Sequence, residues 1–210
     1  MADGGAAFAL AEPGLWVERI GARTFAAGLP ALFLDRDGTI NVDTGYPDDP
    51  ADMVLRDGIA PVIEAANRRG VPVVVVTNQS GIARGYFGWD AFASVNRRVL
   101  DLLAERNAFV DMVLACAYHE KGSGPLGIAD HAMRKPNPGM LMEAAGRLGL
   151  DLGRSLIVGD KPADMEAGQR AGLRRGWLVD GEASTMDGLA VYPLRDANDL
   201  DGLLSAIRSL

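Results

Sequence analysis

Short apolar runs that do not alternate with polar residues constrain the fold of this chain more than any other feature. The run at Val71–Thr77 reads VPVVVVT, and shorter runs of this kind stand at Ala31–Asp35 and Ser155–Gly159. Strands that are apolar on both sides are buried on both faces, as in parallel sheets covered by helices. Segments with helical spacing of apolar residues, such as Gly58–Arg69 and Trp89–Arg106, lie between these runs. The pattern predicts an α/β fold with a mostly parallel sheet.

The rest of the chain continues the same alternation. Further predicted strands are Val110–Ala117 and Gly176–Val179, and further predicted helices are Pro138–Leu148, Pro162–Ala171 and a last helix over residues 198–210. Residues 1–30 are rich in Ala and Gly and show no period, so we predict an N-terminal extension there. Within it, Leu15–Ile20 is expected to pack on the domain or on a second subunit. Residues 31–210 are predicted to form a single α/β domain.

Composition and charge exclude several classes of protein. The 210 residues are 48% apolar and 23% charged, which is typical of globular proteins, and no apolar run approaches the ~20 residues of a membrane helix. The net charge of −7 disfavours nucleic acid as the main partner, because duplex binding needs a cationic surface. The single cysteine and the absence of a signal-like N-terminus predict a cytoplasmic protein without a membrane partner, as a monomer or small homo-oligomer.

Polar residues follow the predicted strands at their carboxyl ends. Asp35 and Asp37 follow the first strand, Thr77 ends the second, Asp160 follows the fourth, and Lys135 precedes a helix. Ligands of open α/β sheets bind outside the carboxyl ends of the strands, so these side chains are expected to form one site. Crowded carboxylates repel each other and imply a bound cation, and oxygen ligands suit Mg²⁺ completed by substrate phosphate.

This set of residues suits phosphoryl transfer. Next to Mg²⁺, one carboxylate can attack phosphorus to form an aspartyl-phosphate, and a second carboxylate two residues on can donate and accept protons. Thr77 and Lys135 are expected to bind the phosphoryl oxygens, and Gly38 to let the backbone approach the phosphoryl group. Positioning and charge neutralisation supply most of the catalysis in such reactions.

Two other classes of function remain open at this stage. A phospho-acceptor module of the receiver type also gathers acids, a hydroxyl and a lysine around Mg²⁺, but it signals without turnover. A receiver has no positioned acid two residues beyond its acceptor, so Asp37 favours hydrolysis over a lasting acyl phosphate. A binding protein without catalysis is disfavoured by the full set of reactive residues.

Four motifs carry a family resemblance over most of the chain from Leu32 to about Gly172. DRDGT, TNQSGIARG, RKP and GDKPAD resemble the motifs of the haloacid dehalogenase (HAD) superfamily of phosphatases. The longer segments FLDRDGTINVDTGYP, VVVVTNQSGIARGYF, RKPNPGML and IVGDKPADMEAG are similar to the D-glycero-D-manno-heptose 1,7-bisphosphate phosphatases and the related histidinol-phosphate phosphatases. The resemblance implies a Rossmann-like three-layer α/β/α sandwich and a Mg²⁺-dependent phosphomonoesterase. Its substrate is a small phosphorylated sugar, with a heptose 1,7-bisphosphate first and histidinol phosphate or another sugar phosphate as alternatives.

The resemblance also implies roles for individual residues. Asp35 is the nucleophile, Asp37 the proton donor and acceptor, and Thr77 and Lys135 stabilise the transferring phosphoryl group. Mg²⁺ is held by Asp35, the backbone carbonyl of Asp37, and Asp160. The implied substrate-binding residues are Asp43, Thr44, Gly45, Tyr46, Asn78, Gln79, Ser80, Arg134 and Lys161. No insertion large enough for the usual cap domain follows Asp37 or Thr77, so short loops are expected to roof the pocket.

One part of the sequence departs from this family. Relatives commonly bind a structural Zn²⁺ through Cys-x-His and Cys-x-Cys pairs, but the matching places here read Cys116-Ala-Tyr and His131-Ala-Met. Cys116, His119 and His131 make at most three ligands, whereas structural zinc prefers a closed tetrahedral site. We therefore predict that this loop carries no structural zinc. The residues expected to hold it by packing are Tyr118, Leu126, Ile128 and Met133.

Two further residues have open roles at this stage. Arg84 is either a contact for a second phosphate group or an arginine on a loop surface. Asp164 either supports the site or caps the helix that begins near Pro162.

Overall fold

The strands and helices of the computed structural model follow the predicted alternation closely. The structure describes residues 10–43, 45–46 and 48–210. The strands are β1 Leu10–Glu12, β2 Leu15–Arg19, β3 Leu32–Leu34, β4 Val73–Asn78, β5 Met112–Cys116, β6 Leu156–Gly159, β7 Arg175–Val179, β8 Ser184–Met186 and β9 Leu189–Leu194. The helices are α1 Ile59–Arg68, α2 Ser80–Ala83, α3 Trp89–Ala104, α4 Gly139–Leu148, α5 Pro162–Arg170 and α6 Ala197–Arg208.

All of these strands belong to one sheet. Its order is β1-β2-β5-β4-β3-β6-β7-β9-β8. The strands from β5 to β9 in this order pair in parallel, whereas β1, β2 and β8 pair antiparallel at the two edges. The prediction of a mostly parallel sheet is confirmed. The central strands β4, β3 and β6 are neighbours, and the residues that follow them therefore meet at one edge of the sheet.

Helices cover both faces of the sheet, which confirms the three-layer sandwich. Helices α1, α3 and α6 pack on one face and contribute fully buried side chains such as Phe92 to its core. Helices α4 and α5 pack on the other face, where Phe33 and Met140 are fully buried. Successive side chains of a strand point to opposite faces, so Leu32 and Leu34 join the first core while Phe33 joins the second.

Residues 10–19, within the predicted extension, form the antiparallel edge of the sheet. Strand β2 pairs with β5 over its whole length, from Leu15 opposite Cys116 to Arg19 opposite Met112. The Trp16 ring packs on Phe92 at a centroid distance of 5.3 Å. Of the two expectations for this segment, packing on the domain itself is therefore the one that the structure shows.

The loops around the sheet edge are short, and the described residues of these loops form no cap domain. In the described part of the chain, the segments that follow β3 and β4 contain no separately folded cap. None of the helices there combines the length and the apolar character that crossing a membrane requires.

Candidate active site

The predicted catalytic side chains meet at the carboxyl edge of β3, β4 and β6. Asp35 directly follows β3, Thr77 is the penultimate residue of β4, and Asp160 directly follows β6. Because these three strands are neighbours in the sheet, the chain brings together positions 35, 77 and 160 without any long loop. Lys135 reaches the same place from the segment between β5 and α4.

Lys135 is the central contact of this site. Its ammonium group is buried and donates to Asp35 Oδ1 at 2.7 Å, lies 2.5 Å from Asp164 Oδ1, and donates to the Val76 carbonyl at 2.7 Å. Burial by itself would lower the pKa of Lys135, but the two carboxylates outweigh it and raise the pKa above its ordinary value. The lysine therefore stays charged and neutralises part of the acidic cluster.

Asn78 fixes the backbone of the lysine. Its side-chain amide donates to the Lys135 carbonyl at 2.9 Å and accepts from the Lys135 N–H at 3.1 Å. Asn78 was predicted to bind substrate, and the structure shows that its amide also holds Lys135 in place. Such a paired contact links the end of β4 to a loop that is remote in sequence.

Asp37 is held as a carboxylate by its neighbours. Arg36 donates to both of its oxygens, at 3.0 and 2.8 Å, and Asn41 and Gln79 donate to it at 3.2 and 2.9 Å. Burial favours the neutral acid, but the Arg36 charge and these hydrogen bonds lower the pKa of Asp37 below its ordinary value. The Arg36 guanidinium is itself buried, 5.2 Å above the Phe92 ring. Arg36 was missed by the sequence analysis, although an arginine between two acids was a usable signal.

Gln79 links the Asp37 carboxylate to the Thr77 hydroxyl. The same amide nitrogen that donates to Asp37 also donates to Thr77 Oγ1 at 2.9 Å. Both Gln79 and Thr77 are buried. The shared Gln79 amide therefore holds the Asp37 carboxylate and the Thr77 hydroxyl in a fixed relative position.

Three carboxylates converge in a way that fits a cation. Asp35, Asp160 and Asp164 each offer an oxygen within 4.8 Å of the others. Asp160 Oδ1 is buried without a hydrogen-bond partner among the described residues, which is costly for a carboxylate oxygen unless a cation meets it. Burial raises the pKa of Asp35 to about 7, and the Lys135 charge only partly offsets this effect. Lys135 offsets only part of the negative charge of the three carboxylates, and their hard oxygen ligands suit Mg²⁺.

Asp164 serves both of the roles left open for it. Its Oδ1 pairs with Lys135 at 2.5 Å, and its Oδ2 accepts from the backbone N–H of Lys161 at 3.0 Å, at the start of α5. It thereby ties the N-terminus of this helix to the buried lysine.

Gly38 allows the close approach of two site loops. Its φ is +82°, which favours glycine, and a Cβ there would lie 2.4 Å from Asp160 Oδ2. Gly38 was predicted to let the backbone approach the phosphoryl group. The structure shows that it makes room for Asp160.

A polar cleft of about 380 Å³ opens above these groups. Every predicted substrate-binding residue that the structure describes lines it, and Thr44 lies outside the described residues. A larger cavity of about 580 Å³ lies beside α1 and α6, but its walls are mostly apolar and include none of the clustered carboxylates. The lining residues of the polar cleft are Asp35, Asp37, Asp43, Gly45, Tyr46, Thr77, Asn78, Gln79, Ser80, Gly81, Arg134, Lys135, Lys161, Ala163 and Asp164.

Lys161 places an exposed positive charge on the wall of this polar cleft. Its side chain is 59% exposed, and its ammonium lies 3.4 Å from Asp160 Oδ2 and 3.8 Å from Asp43 Oδ2. Burial would lower the pKa of Lys161, but Asp160 and the other nearby acids raise it. The ammonium can therefore turn toward an anion in the cleft without losing its charge.

A second group of basic residues lies near Tyr46, one of the residues that line the cleft. Arg84 donates to the Tyr46 hydroxyl at 2.8 Å, and another of its nitrogens lies 3.0 Å from His119 Nε2. Arg134 donates to the Tyr118 carbonyl at 3.0 Å. Within the described ranges, neither arginine forms an ion pair with a carboxylate, so both charges are available to an anionic ligand. The link from Arg84 to His119 was not foreseen, because it joins loops after two different strands.

The three possible zinc ligands are either buried or in contact with other side chains. Cys116 is fully buried, and burial raises the pKa of its thiol to about 11. The His131 ring stacks on Tyr118 at 3.9 Å between centroids, and His119 contacts Arg84. Of the residues predicted to hold the loop by packing, Tyr118 is buried and Leu126 and Met133 are partly buried against the core. Ile128 is 40% exposed, so its predicted contribution to packing is wrong.

The chain matches known proteins along most of its length. A HAD-hydrolase-like family model matches residues 132–200. The D-glycero-β-D-manno-heptose-1,7-bisphosphate 7-phosphatase of Mesorhizobium japonicum is 71% identical over 201 residues, which cover 96% of this chain and 93% of the relative. The chain belongs to the heptose bisphosphate phosphatase family of HAD-like hydrolases. This finding confirms the resemblance and the phosphatase class.

Solved structures of this phosphatase family agree with the fold. A HAD-like phosphatase from Mesorhizobium loti superposes with a TM-score of 0.94 at 70% identity and covers 96% of this chain and 97% of its own. The D,D-heptose 1,7-bisphosphate phosphatase of B. bronchiseptica, complexed with magnesium and phosphate, gives a TM-score of 0.70 at 29% identity. That match covers 84% of this chain and 99% of the B. bronchiseptica chain.

The buried lysine should be essential to stability as well as to the site. We expect Lys135→Met to lower the free energy of unfolding by about 3–5 kcal/mol, because it leaves Asp35 and Asp164 buried without a counter-charge. Urea denaturation at neutral pH measures this. The matched control is Lys161→Met, whose 59% exposed side chain should contribute at most about 1 kcal/mol. Equal losses in both variants would contradict this assignment, and Asp35→Asn added to Lys135→Met should recover part of the loss.

The loop that follows β5 should fold without zinc. Protein purified without chelator is expected to contain well under one equivalent of zinc by elemental analysis, because its possible ligands are engaged elsewhere. Cys116→Ser should leave the zinc content unchanged. A stoichiometric zinc content that falls in Cys116→Ser would show that these residues do build a metal site.

Proposed function

We propose that this protein is a Mg²⁺-dependent phosphatase that removes the 7-phosphate of D-glycero-β-D-manno-heptose 1,7-bisphosphate. The observation that carries the proposal is the contact of Asp35 with Lys135 at 2.7 Å, beside two further carboxylates in a polar cleft. The relative from Mesorhizobium japonicum, named for this reaction, is 71% identical. The expectation of a cytoplasmic monomer or small homo-oligomer forms part of the same proposal.

Asp35 and Asp160 would hold Mg²⁺, together with the backbone carbonyl of Asp37. Asp164 lies in the same carboxylate cluster, but its oxygens are engaged by Lys135 and the Lys161 N–H. When bound, Mg²⁺ neutralises the charge of the phosphoryl oxygens and of the nearby carboxylates.

The first half of the reaction transfers the phosphoryl group to Asp35. A carboxylate oxygen of Asp35 forms a bond to phosphorus, and the bond from phosphorus to the sugar O7 breaks. The departing oxygen takes a proton from Asp37, which leaves the heptose 1-phosphate. The Lys135 ammonium, which contacts Asp35, and the Thr77 hydroxyl bind the equatorial oxygens while the charge moves.

The second half of the reaction regenerates Asp35. Asp37 accepts a proton from water, whose oxygen attacks phosphorus, and the bond from phosphorus to Asp35 breaks to release inorganic phosphate. The contacts of Arg36 and Gln79 keep Asp37 ionised and aimed for this step. In the first half, the negative charge of the entering phosphate favours protonation of Asp37. This positioned acid separates the chain from a receiver module.

The two arginines near Tyr46 suit the second phosphate of such a substrate. Arg84 and Arg134 lie there without carboxylate partners among the residues described, and guanidinium groups bind phosphate in a bidentate manner. The sugar between the two phosphates would contact the loop of Asp43 and Tyr46. We assign Arg84 to the 1-phosphate, the first of the two roles left open for it.

Phosphate release tests the reaction. With Mg²⁺, the protein should release inorganic phosphate from the 1,7-bisphosphate, and Asp35→Asn should reduce kcat about a thousandfold or more, because it removes the nucleophile. Asp101→Asn, an exposed change of the same kind on α3, is the matched control and should retain full activity. Chelation of the metal should abolish release, and its restoration by Mg²⁺ should be complete. Equal activity in wild type and Asp35→Asn would refute the proposed function.

A comparison of two substrates tests the assignment of Arg84. Arg84→Gln should raise KM for the 1,7-bisphosphate about tenfold, the value of one charge-assisted hydrogen bond, and leave KM for the heptose 7-phosphate unchanged. Arg97→Gln, an exposed arginine on α3, controls for the change in net charge. If Arg84→Gln raises KM for both substrates to the same extent, the arginine does not recognise the second phosphate.

A further inference from the structure

Glu12, at the end of β1, contacts the loop that carries Arg134. Its Oε2 accepts a hydrogen bond from the Tyr118 hydroxyl at 3.0 Å and lies 3.7 Å from His131 Nε2. The Met133 backbone N–H donates to His131 Nδ1 at 3.2 Å, so the remaining ring proton is on Nε2 and faces the carboxylate. One acidic side chain thus meets both ends of residues 118–131.

The two loop residues that Glu12 meets are also in contact with each other. The rings of Tyr118 and His131 stack at 3.9 Å between centroids, with an interplanar angle of 24°. Tyr118 is 5% exposed, so its ring forms the buried base of the loop. Glu12, Tyr118 and His131, here called the clasp, close the loop at its base.

The hairpin that supplies Glu12 is firmly seated. In its turn, the Pro13 carbonyl accepts a hydrogen bond from Trp89 Nε1 at 3.0 Å. The Gly14 carbonyl accepts one from the Ala117 N–H at 2.8 Å. A Cβ at Gly14 would lie 2.8 Å from the Tyr118 ring, so the turn packs directly against that ring. These contacts of the turn therefore fix the backbone position of Glu12 independently of the contacts that its side chain makes.

Arg134 is one hydrogen bond away from the clasp. Its guanidinium donates to the Tyr118 carbonyl at 3.0 Å, and the residue lines the polar cleft. Lys135, the next residue, is instead held by Asn78 from β4 and by its buried carboxylate partners. The hydrogen bonds described here therefore lead from the clasp to Arg134 and not to Asp35 or Lys135.

We propose that Glu12 is a positioning residue for Arg134 and thereby sets the affinity of the cleft for the second phosphate group of the substrate. This inference rests on the proposed function, because it assigns Arg134 to an anionic group remote from the reacting phosphorus. The N-terminal hairpin thus supplies a side chain to the substrate site, beyond extending the sheet.

Kinetics with two substrates separate positioning from a structural role. Glu12→Ala and Tyr118→Phe should each raise KM for the 1,7-bisphosphate about threefold to tenfold, the size of one weakened hydrogen bond to a charged group, with kcat within about twofold of wild type. KM for the heptose 7-phosphate, which lacks the second phosphate, should not change. Glu18→Ala is the matched control, because this acid of the same hairpin accepts from Trp16 and does not belong to the clasp.

A double-mutant cycle identifies the residue through which Glu12 acts. In an Arg134→Lys background, Glu12→Ala should have no further effect on KM, because the group that it positions is already lost. Additive effects of the two substitutions would overturn the proposal, and so would an equal rise of KM for both substrates. A fall of kcat with unchanged KM would equally overturn it.

A binding measurement separates failure of this proposal from failure of the proposed function. Calorimetry with Asp35→Asn protein compares the dissociation constant of the 1,7-bisphosphate with and without Glu12→Ala, and a threefold to tenfold weakening is expected. If wild type releases no phosphate from this substrate but the weakening appears, the reaction is wrong and the positioning role stands. If binding is unchanged by Glu12→Ala, the positioning role is wrong whatever the turnover.

Discussion

The buried ammonium of Lys135 is the interaction on which the rest of the site depends. It contacts Asp35 after β3, Asp164 in α5 and the Val76 carbonyl in β4, so one charge joins three separate elements. Carboxylates packed this closely would repel each other, and removal of the central charge would leave two of them buried without a partner. The same contact holds Asp35, the nucleophile of the proposed reaction, in place at the edge of the sheet.

In this phosphatase, short loops take the place of a cap domain beside the cleft. Tyr46 comes from the loop after β3, Arg84 from the end of α2, and His119 from the loop after β5, and hydrogen bonds and close contacts join all three. Glu12 brings the N-terminal hairpin to the base of the last of these loops. The cleft beside these short segments is lined by acidic and basic side chains, which suits a substrate that carries more than one phosphate group.

The sequence predicted the central strands well because they are buried on both faces and therefore read as continuous apolar runs. The strands β1, β2, β8 and β9, which lie at the two ends of the sheet, were missed because a strand that is only partly covered by helices lacks such a run. The exposed strand Leu10–Glu12 pairs with β2, and β2 in turn pairs with β5, about a hundred residues further along the chain. Pairing of this kind is a tertiary property.

The sequence by itself determined the chemistry of the site, because strand ends place Asp35, Thr77 and Asp160 along one edge and parallel sheets bind ligands there. The tertiary structure alone decided how these groups are held. That Asn78 anchors Lys135, that Asp164 pairs with it, and that an N-terminal glutamate meets the loop of Arg134 are contacts between residues far apart in the chain. Local sequence patterns do not predict such contacts. The contacts depend on which segments the packed core brings within hydrogen-bond distance.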